Sequence, residues 1–251
     1  MNVPIALKSA SVPSVISAPA QSFSVVTLGL QLSDLETAQS LLPLELASAV
    51  DKRKIDFITG RICADRALVA LDGRRSWGTV ALGPDRIPLW PEGVVGSITH
   101  TEGFTSACVG LTTDYESIGV DAEKIMPLTQ AEKIKETISS PSERDLIKSN
   151  GLALGEGLSL IFSAKESLFK CLHPLVKINF GFLDAELKSL DPARGFFSIQ
   201  LLRELTKRFP VGTEFDGNFA WSGDLIVTGV AVHCKRKYTP RVFAVTRSPT
   251  S

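Results

Sequence analysis

The feature that most constrains this 251-residue chain is an order of elements that occurs twice, a long helical pattern followed by strands, once in each half. In the first half the pattern runs from Ser33 to Leu71, with Ser33 and Asp34 as caps and a break at Pro43. It then continues through Ile55, Ile58, Ile62, Ala67 and Leu68 to a stop at Asp72-Gly73. A Pro- and Gly-rich loop over Pro84 to Gly96 leads into strand-like residues from Ser97 to Leu111. In the second half strand character returns at Ser117 to Asp121, and helical spacing recurs over Thr129–Ser139, Ser142–Ser149 and Leu158–Leu172. Strands are expected over Val176–Leu187, Phe196–Leu202, Glu214–Trp221 and Leu225–Cys234, with turns at Asp216-Gly217 and Ser222-Gly223. The predicted fold class is α+β, with a boundary in the polar stretch Thr112 to Ser117. Subdomains 23–113 and 114–251 would act as one functional unit with a ligand cleft between them. Residues 1–22, interrupted by Pro4, Pro13 and Pro19, are expected to form a flexible tail or extended lead-in rather than a secretory leader.

With 44% hydrophobic residues the chain can fill a core without covalent staples. Lys plus Arg and Asp plus Glu both number 27, so no overall basic field points to nucleic acid, and any anion site must be local. Cys63, Cys108, Cys171 and Cys234 lie far apart with no C-x-x-C pair, which argues against zinc and disulfide frameworks and fits a reduced, cytoplasmic setting. Three histidines, His100, His173 and His233, come from unrelated segments and suggest no multi-histidine metal centre. No apolar run approaches the roughly 18 residues of a membrane span.

Four clusters carry chemistry. In Ile118-Gly119-Val120-Asp121-Ala122-Glu123, strand alternation puts the carboxylates of Asp121 and Glu123 on one face. Paired hard oxygen donors suit Mg²⁺, although D-x-E alone also describes an ordinary solvated strand end. In Phe162-Ser163-Ala164-Lys165-Glu166-Ser167-Leu168-Phe169-Lys170, the residues Ser163, Glu166, Ser167 and Lys170 recur at helical spacing. That could be an amphipathic helix with a routine i, i+4 ion pair, but the bulky neighbours suggest a polar face turned into a cleft. Gly96-Ser97-Ile98-Thr99-His100 offers two hydroxyls, a histidine and backbone N–H groups able to hold a phosphate. Arg53 and Arg61, eight residues apart on one helix, lie on roughly the same side about 12 Å apart, and Arg86 sits in the following loop; each reads by default as a surface arginine.

Taken together and in this order, Phe57-Ile58-Thr59-Gly60-Arg61-Ile62-Cys63-Ala64, the run Pro88 to His100, Gly119-Val120-Asp121-Ala122-Glu123 and Phe162 to Lys170 resemble the phosphopantetheinyl transferases. Within them the likeness is to the enterobactin-synthase component D type, and it spans residues from about 50 to 180. The resemblance implies two similar α/β subdomains in a pseudo-twofold arrangement, with coenzyme A in the cleft between them. It assigns Arg53, Arg61, Arg86 and His100 to the nucleotide, the basic residues and His100 lying near the 3′-phosphate, and the Ser97 and Thr99 hydroxyls are expected to join them in binding coenzyme A. Asp121, Glu123 and Glu166 would hold Mg²⁺, and Lys165 and Lys170 would contact phosphates. The subgroup commonly has Arg after Cys63-Ala64, whereas Asp65 stands here.

The implied reaction transfers 4′-phosphopantetheine from coenzyme A to a serine of an apo acyl or peptidyl carrier protein and releases adenosine 3′,5′-bisphosphate. Glu166 is the expected base for the serine, and Lys170 the group that stabilises the leaving bisphosphate. A monomer serving siderophore (as in enterobactin biosynthesis), peptide, polyketide or fatty acid synthesis is expected. The same residues would also suit a magnesium-dependent nucleotide phosphohydrolase, or an inactive module that binds coenzyme A or carriers.

Overall fold

A computed structural model describes residues 7–73, 80–84 and 87–234. The N-terminal half holds strand β1 (Gln21–Val26), helix α1 (Asp51–Asp72), the short pair β2 (Ala81–Leu82) and β3 (Pro88–Leu89), and the hairpin β4 (Val94–Thr101) and β5 (Phe104–Leu111). The C-terminal half begins with β6 (Tyr115–Lys124) and continues through helices α2 (Leu128–Ile138), α3 (Pro141–Ser149) and α4 (Leu154–Val176). It ends in β7 (Ala185–Asp191), β8 (Phe196–Leu201), β9 (Glu214–Ser222) and β10 (Leu225–His233). The larger strands form two antiparallel sheets, ordered β1-β5-β4 and β6-β10-β9-β8-β7.

Each long helix covers its own sheet, α1 against β1 and β5, α4 against β6 and β10. Local sequence explains where helices stop and start. Gly73 adopts φ +75° and caps α1 through its N–H to the Val69 carbonyl, a conformation that costs glycine little. Ser140 and Glu143 form a reciprocal capping box that starts α3, with Pro141 at its first position.

The halves repeat a polar joint as well as an order. On α1, Thr59 meets the Thr105 hydroxyl at 3.1 Å while Cys63 Sγ donates to the Thr105 carbonyl at 3.6 Å. On α4, Ser163 meets the Thr228 hydroxyl at 2.9 Å while Ser167 Oγ donates to the Thr228 carbonyl at 3.1 Å. The fold is thus α+β with two related subdomains, as the resemblance implied.

Four expectations need correction. Asp216 and Gly217 make no turn but lie inside β9, opposite Ser198 and Phe197 of β8. The residues before β1 do not form a free tail from Leu7 onward: Lys8 and Ala10 bond to Val26 and Ser24, and Val15 and Ile16 are buried against the C-terminal sheet beside Ala220 and Val227. Tyr115 donates to the Ser17 carbonyl at 2.6 Å and fastens this lead-in where apolar side chains alone gave no direction. The stretch after Val176 is not strand; a short 3-10 turn, Phe182–Asp184, precedes β7, and Phe180 and Phe182 pack on Phe169 and Phe162 of α4. Leu32–Leu41 is a kinked 3-10 helix rather than an α-helical lead into α1.

Gly119 lets α4 rest on β6, since a Cβ there would collide with the Ser167 carbonyl and the Cys171 backbone nitrogen. Gly119→Ala should therefore cost about 3 kcal/mol, read as a lower midpoint in chemical denaturation.

Candidate active site

The two sheets meet along β4 and β6, and side-chain hydroxyls make the joint. Ser97 Oγ accepts from the Val120 N–H at 3.1 Å, and Thr99 Oγ1 accepts from the Ala122 N–H at 3.1 Å and donates to Asp121 Oδ1 at the same distance. Both hydroxyls are buried and serve as rungs between strands. The sequence suggested that they face a phosphate; Ser97 does border the cleft, but both hydroxyls bond to β6, and Thr99 also accepts from Lys170 Nζ of α4 at 3.4 Å.

A cleft of about 710 Å³ opens beside this joint, lined from the N-terminal half by Arg53, Asp56, Phe57, Arg61, Trp90 and His100, and from the C-terminal half by Lys170 and His173. Its volume lies within the range of small-molecule sites. Arg61 is 7% exposed, stacks on the Phe57 ring at 4.1 Å, and finds no partner for Nε or Nη2 among the described residues. Burial, then repulsion from Arg53, pushes its pKa down to about 10. A cation so held favours an incoming anion. Arg53 Nη1 stands 3.2 Å from His100 Nε2, while Asp56 Oδ2 faces His100 Nδ1 at 3.6 Å. Arg86 lies outside the described residues.

Across the joint, Lys170 Nζ donates to Asp121 Oδ1 at 2.6 Å, and Asp121 Oδ2 is buried with no partner among the described residues. Burial raises the Glu123 pKa to about 7, helped by Asp121 and Glu166 and opposed by Lys170; Glu166 is raised by burial and by Asp121. Two carboxylates whose pKa values are raised first by burial and then by a neighbouring acid lack positive charge, and an orphaned buried oxygen lacks a partner among the described residues. Both are what a hard divalent cation would supply. Among the described residues no group of three or more His, Cys, Asp or Glu is gathered as a formed metal site, and the countercharge on Asp121 is the Lys170 ammonium. The donors fit such a cation in kind.

On the far side of Glu166 and Phe169 a smaller recess of about 300 Å³ is lined by Asn179, Phe180 and Phe182, and it shares Phe169 and Asn179 with the cleft.

Lys165 borders the smaller recess, but its ammonium is not turned to the cleft. The side chain is 3% exposed, and Nζ donates to Glu143 and to the Ile138 carbonyl, both at 2.9 Å. Five residues along a helix turn Lys165 well away from Lys170, whereas Glu166 and Lys170, four apart, share a face. Ser163 and Ser167 are likewise turned from the cleft to Thr228. Asp56, Phe57 and Trp90 border the cleft without having been singled out as site residues; Asp56 could have been found from its i, i+3 spacing to Arg53. Asp65 is not among the described cleft-lining residues.

Residues 41–110 match the family model of the 4'-phosphopantetheinyl transferase N-terminal domain, and residues 117–222 match that of the 4'-phosphopantetheinyl transferase superfamily. The chain is 40% identical over 197 residues to 4'-phosphopantetheinyl transferase Svp of Streptomyces mobaraensis, covering 74% of this chain and 75% of that one. It is 33% identical over 192 residues to 4'-phosphopantetheinyl transferase PptT of Mycobacterium tuberculosis, covering 74% and 82%. It is 36% identical over 148 residues to enterobactin synthase component D of Escherichia coli (strain K12), covering 58% and 66%.

Two measurements test this electrostatic arrangement. Lys165→Met should destabilise the protein by about 3 to 5 kcal/mol, because Glu143 would be left buried without its cation, as read by urea denaturation. The folded-state pKa of Glu123, about 7 against an ordinary 4.5, means that the folded protein binds the extra proton between those values. That contribution is full below about 4.5 and is lost as pH rises through about 7. In chelator the denaturation midpoint should fall across this window, and Glu123→Gln should flatten the fall.

Proposed function

This chain belongs to the 4'-phosphopantetheinyl transferases, and on that premise we propose how its cleft carries out transfer of phosphopantetheine from coenzyme A to a carrier-protein serine. What carries the assignment of roles is the opposition across one cleft of an unpartnered buried arginine, Arg61, and a carboxylate cluster charge-deficient except for Lys170. Arg53, Arg61 and His100 bind the phosphates of the nucleotide end, against the apolar wall of Phe57 and Trp90. Arg86 is assigned to the same end. The pantetheine arm runs past Phe169 into the smaller recess, since the two spaces share that side chain.

Asp121, Glu123 and Glu166 would hold Mg²⁺, which neutralises phosphate oxygens during displacement at phosphorus. Glu166 accepts the proton of the carrier serine; burial, then Asp121, raise its pKa and make it a stronger base than an ordinary carboxylate. Lys170 is then close enough to Asp121 to turn its charge to the departing bisphosphate. Ser97 and Thr99 act at one remove, Thr99 by orienting Asp121. Both walls come from one chain, which supports action as a monomer. The four unpaired cysteines, three of them buried, favour a cytoplasmic setting. Likeness to enterobactin synthase component D favours a carrier of siderophore synthesis. A phosphohydrolase or an inactive binding module is disfavoured, because the carboxylates and Lys170 accompany membership of a transferase family.

Intact-mass spectrometry of an apo peptidyl or acyl carrier incubated with the protein, coenzyme A and Mg²⁺ should show the added mass of one phosphopantetheine, absent in chelator. Glu166→Gln should cut turnover by about a hundredfold or more while changing coenzyme A affinity far less. Unchanged turnover would remove Glu166 from the mechanism. Arg61→Ala should weaken coenzyme A binding about tenfold or more by calorimetry.

A further inference from the structure

Asp56 has no part in the roles assigned above, yet it is 8% exposed and turns its carboxylate into a cleft suited to anions. A buried acid beside two arginines would weaken phosphate binding unless it served another group. The group it faces is His100, with Oδ2 and Nδ1 3.6 Å apart. The other ring nitrogen, Nε2, lies 3.2 Å from Arg53 Nη1. A guanidinium has donors only, so Nε2 must accept there, which puts the ring's proton on Nδ1, toward Asp56.

We propose that Asp56 is a positioning residue for His100: it holds the neutral ring with its proton on Nδ1, and it stabilises the imidazolium formed when a phosphate dianion enters the cleft. The second proton comes from solvent and is added at Nε2 as Arg53 turns from the ring to the anion. Ligand binding is thereby coupled to proton uptake. The inference rests on the reading that the nucleotide end of coenzyme A occupies this cleft.

The charges around the ring support the two states. Arg53 and Asp56 from α1 stand against the ring, and the charges of Lys170 from α4 and Asp121 from β6 also act on it. Burial is the largest influence and favours the neutral ring; Asp56 is the largest opposing one, while Arg53 and Lys170 add to burial and Asp121 opposes it. A dianion beside Nε2 offsets both cations at once, and the balance then passes to Asp56. Without the Asp56 charge, the imidazolium would stand among cations with only Asp121, the smaller of the two acidic influences, and the ligand to offset them.

The test is calorimetric titration of the full chain with adenosine 3′,5′-bisphosphate at about pH 7.5, in two buffers of different ionisation enthalpy. The wild type should take up about one proton per ligand, and Asp56→Asn and His100→Gln should take up almost none. In Asp56→Asn the preference for coenzyme A over dephospho-coenzyme A, which lacks the 3′-phosphate, should fall about tenfold. Binding by the wild type without proton uptake, or uptake that persists in either variant, overturns the role of Asp56 while leaving the cleft reading intact. If Asp56→Asn does not fold, His100→Gln decides, since uptake that survives loss of the imidazole cannot belong to it. Failure of the folded wild type to bind either nucleotide overturns the cleft reading, and this inference with it.

Discussion

The molecule depends on two hydroxyls. Ser97 and Thr99 reach from β4 to the backbone of β6 and do the work that main-chain rungs do inside each sheet. Because the rungs are side chains, the two sheets are joined without merging into one flat surface, and a cleft remains beside the seam. The bond from Thr99 to Asp121 has a second effect, because it ties one oxygen of that carboxylate and leaves the other buried and unpaired among the described residues. A joint between halves and the orientation of a functional acid are thus set by the same side chain, buried where water cannot compete.

Around that seam the charges are divided by half. Helix α1 brings Arg53 and Arg61, the latter held in place by burial and by the Phe57 ring, while β6 and α4 bring carboxylates, of which Glu123 and Glu166 are buried and crowded enough for their pKa values to rise. Lys170 crosses the division and tempers the crowding. Neither half holds a complete site, and a ligand that carries several phosphates is the kind of molecule that satisfies both. The same physics explains why the Lys165 ammonium, in the same motif as Lys170, is not turned to the cleft: Glu143 is fully buried and needs a cation, and the helix turns Lys165 toward it.

Much of this was legible in the chain itself. Helical and alternating patterns located most long elements to within a few residues, Gly73 marked the end of α1, and the spacing of Glu166 and Lys170 put them on one face. Motif order pointed to the family. These signals are local, carried by residues within one or two turns of each other. What periodicity could not distinguish was which polar face of α4 meets solvent, which meets the cleft and which meets another strand: Ser163, Ser167 and Glu166 look alike in sequence, yet Thr228 claims the two serines.

The sequence by itself therefore determined the two helix-and-strand halves, the identity of the acids and bases, and the class of chemistry they suit. Tertiary structure alone decided that the lead-in before β1 is bound to the second sheet, that Lys165 belongs to Glu143, and that Asp56 faces His100. The reason is one of range. Periodicity fixes which residues share a face of one element, but the partner that a buried polar group needs comes from another element, often far along the chain, and only packing brings the two together.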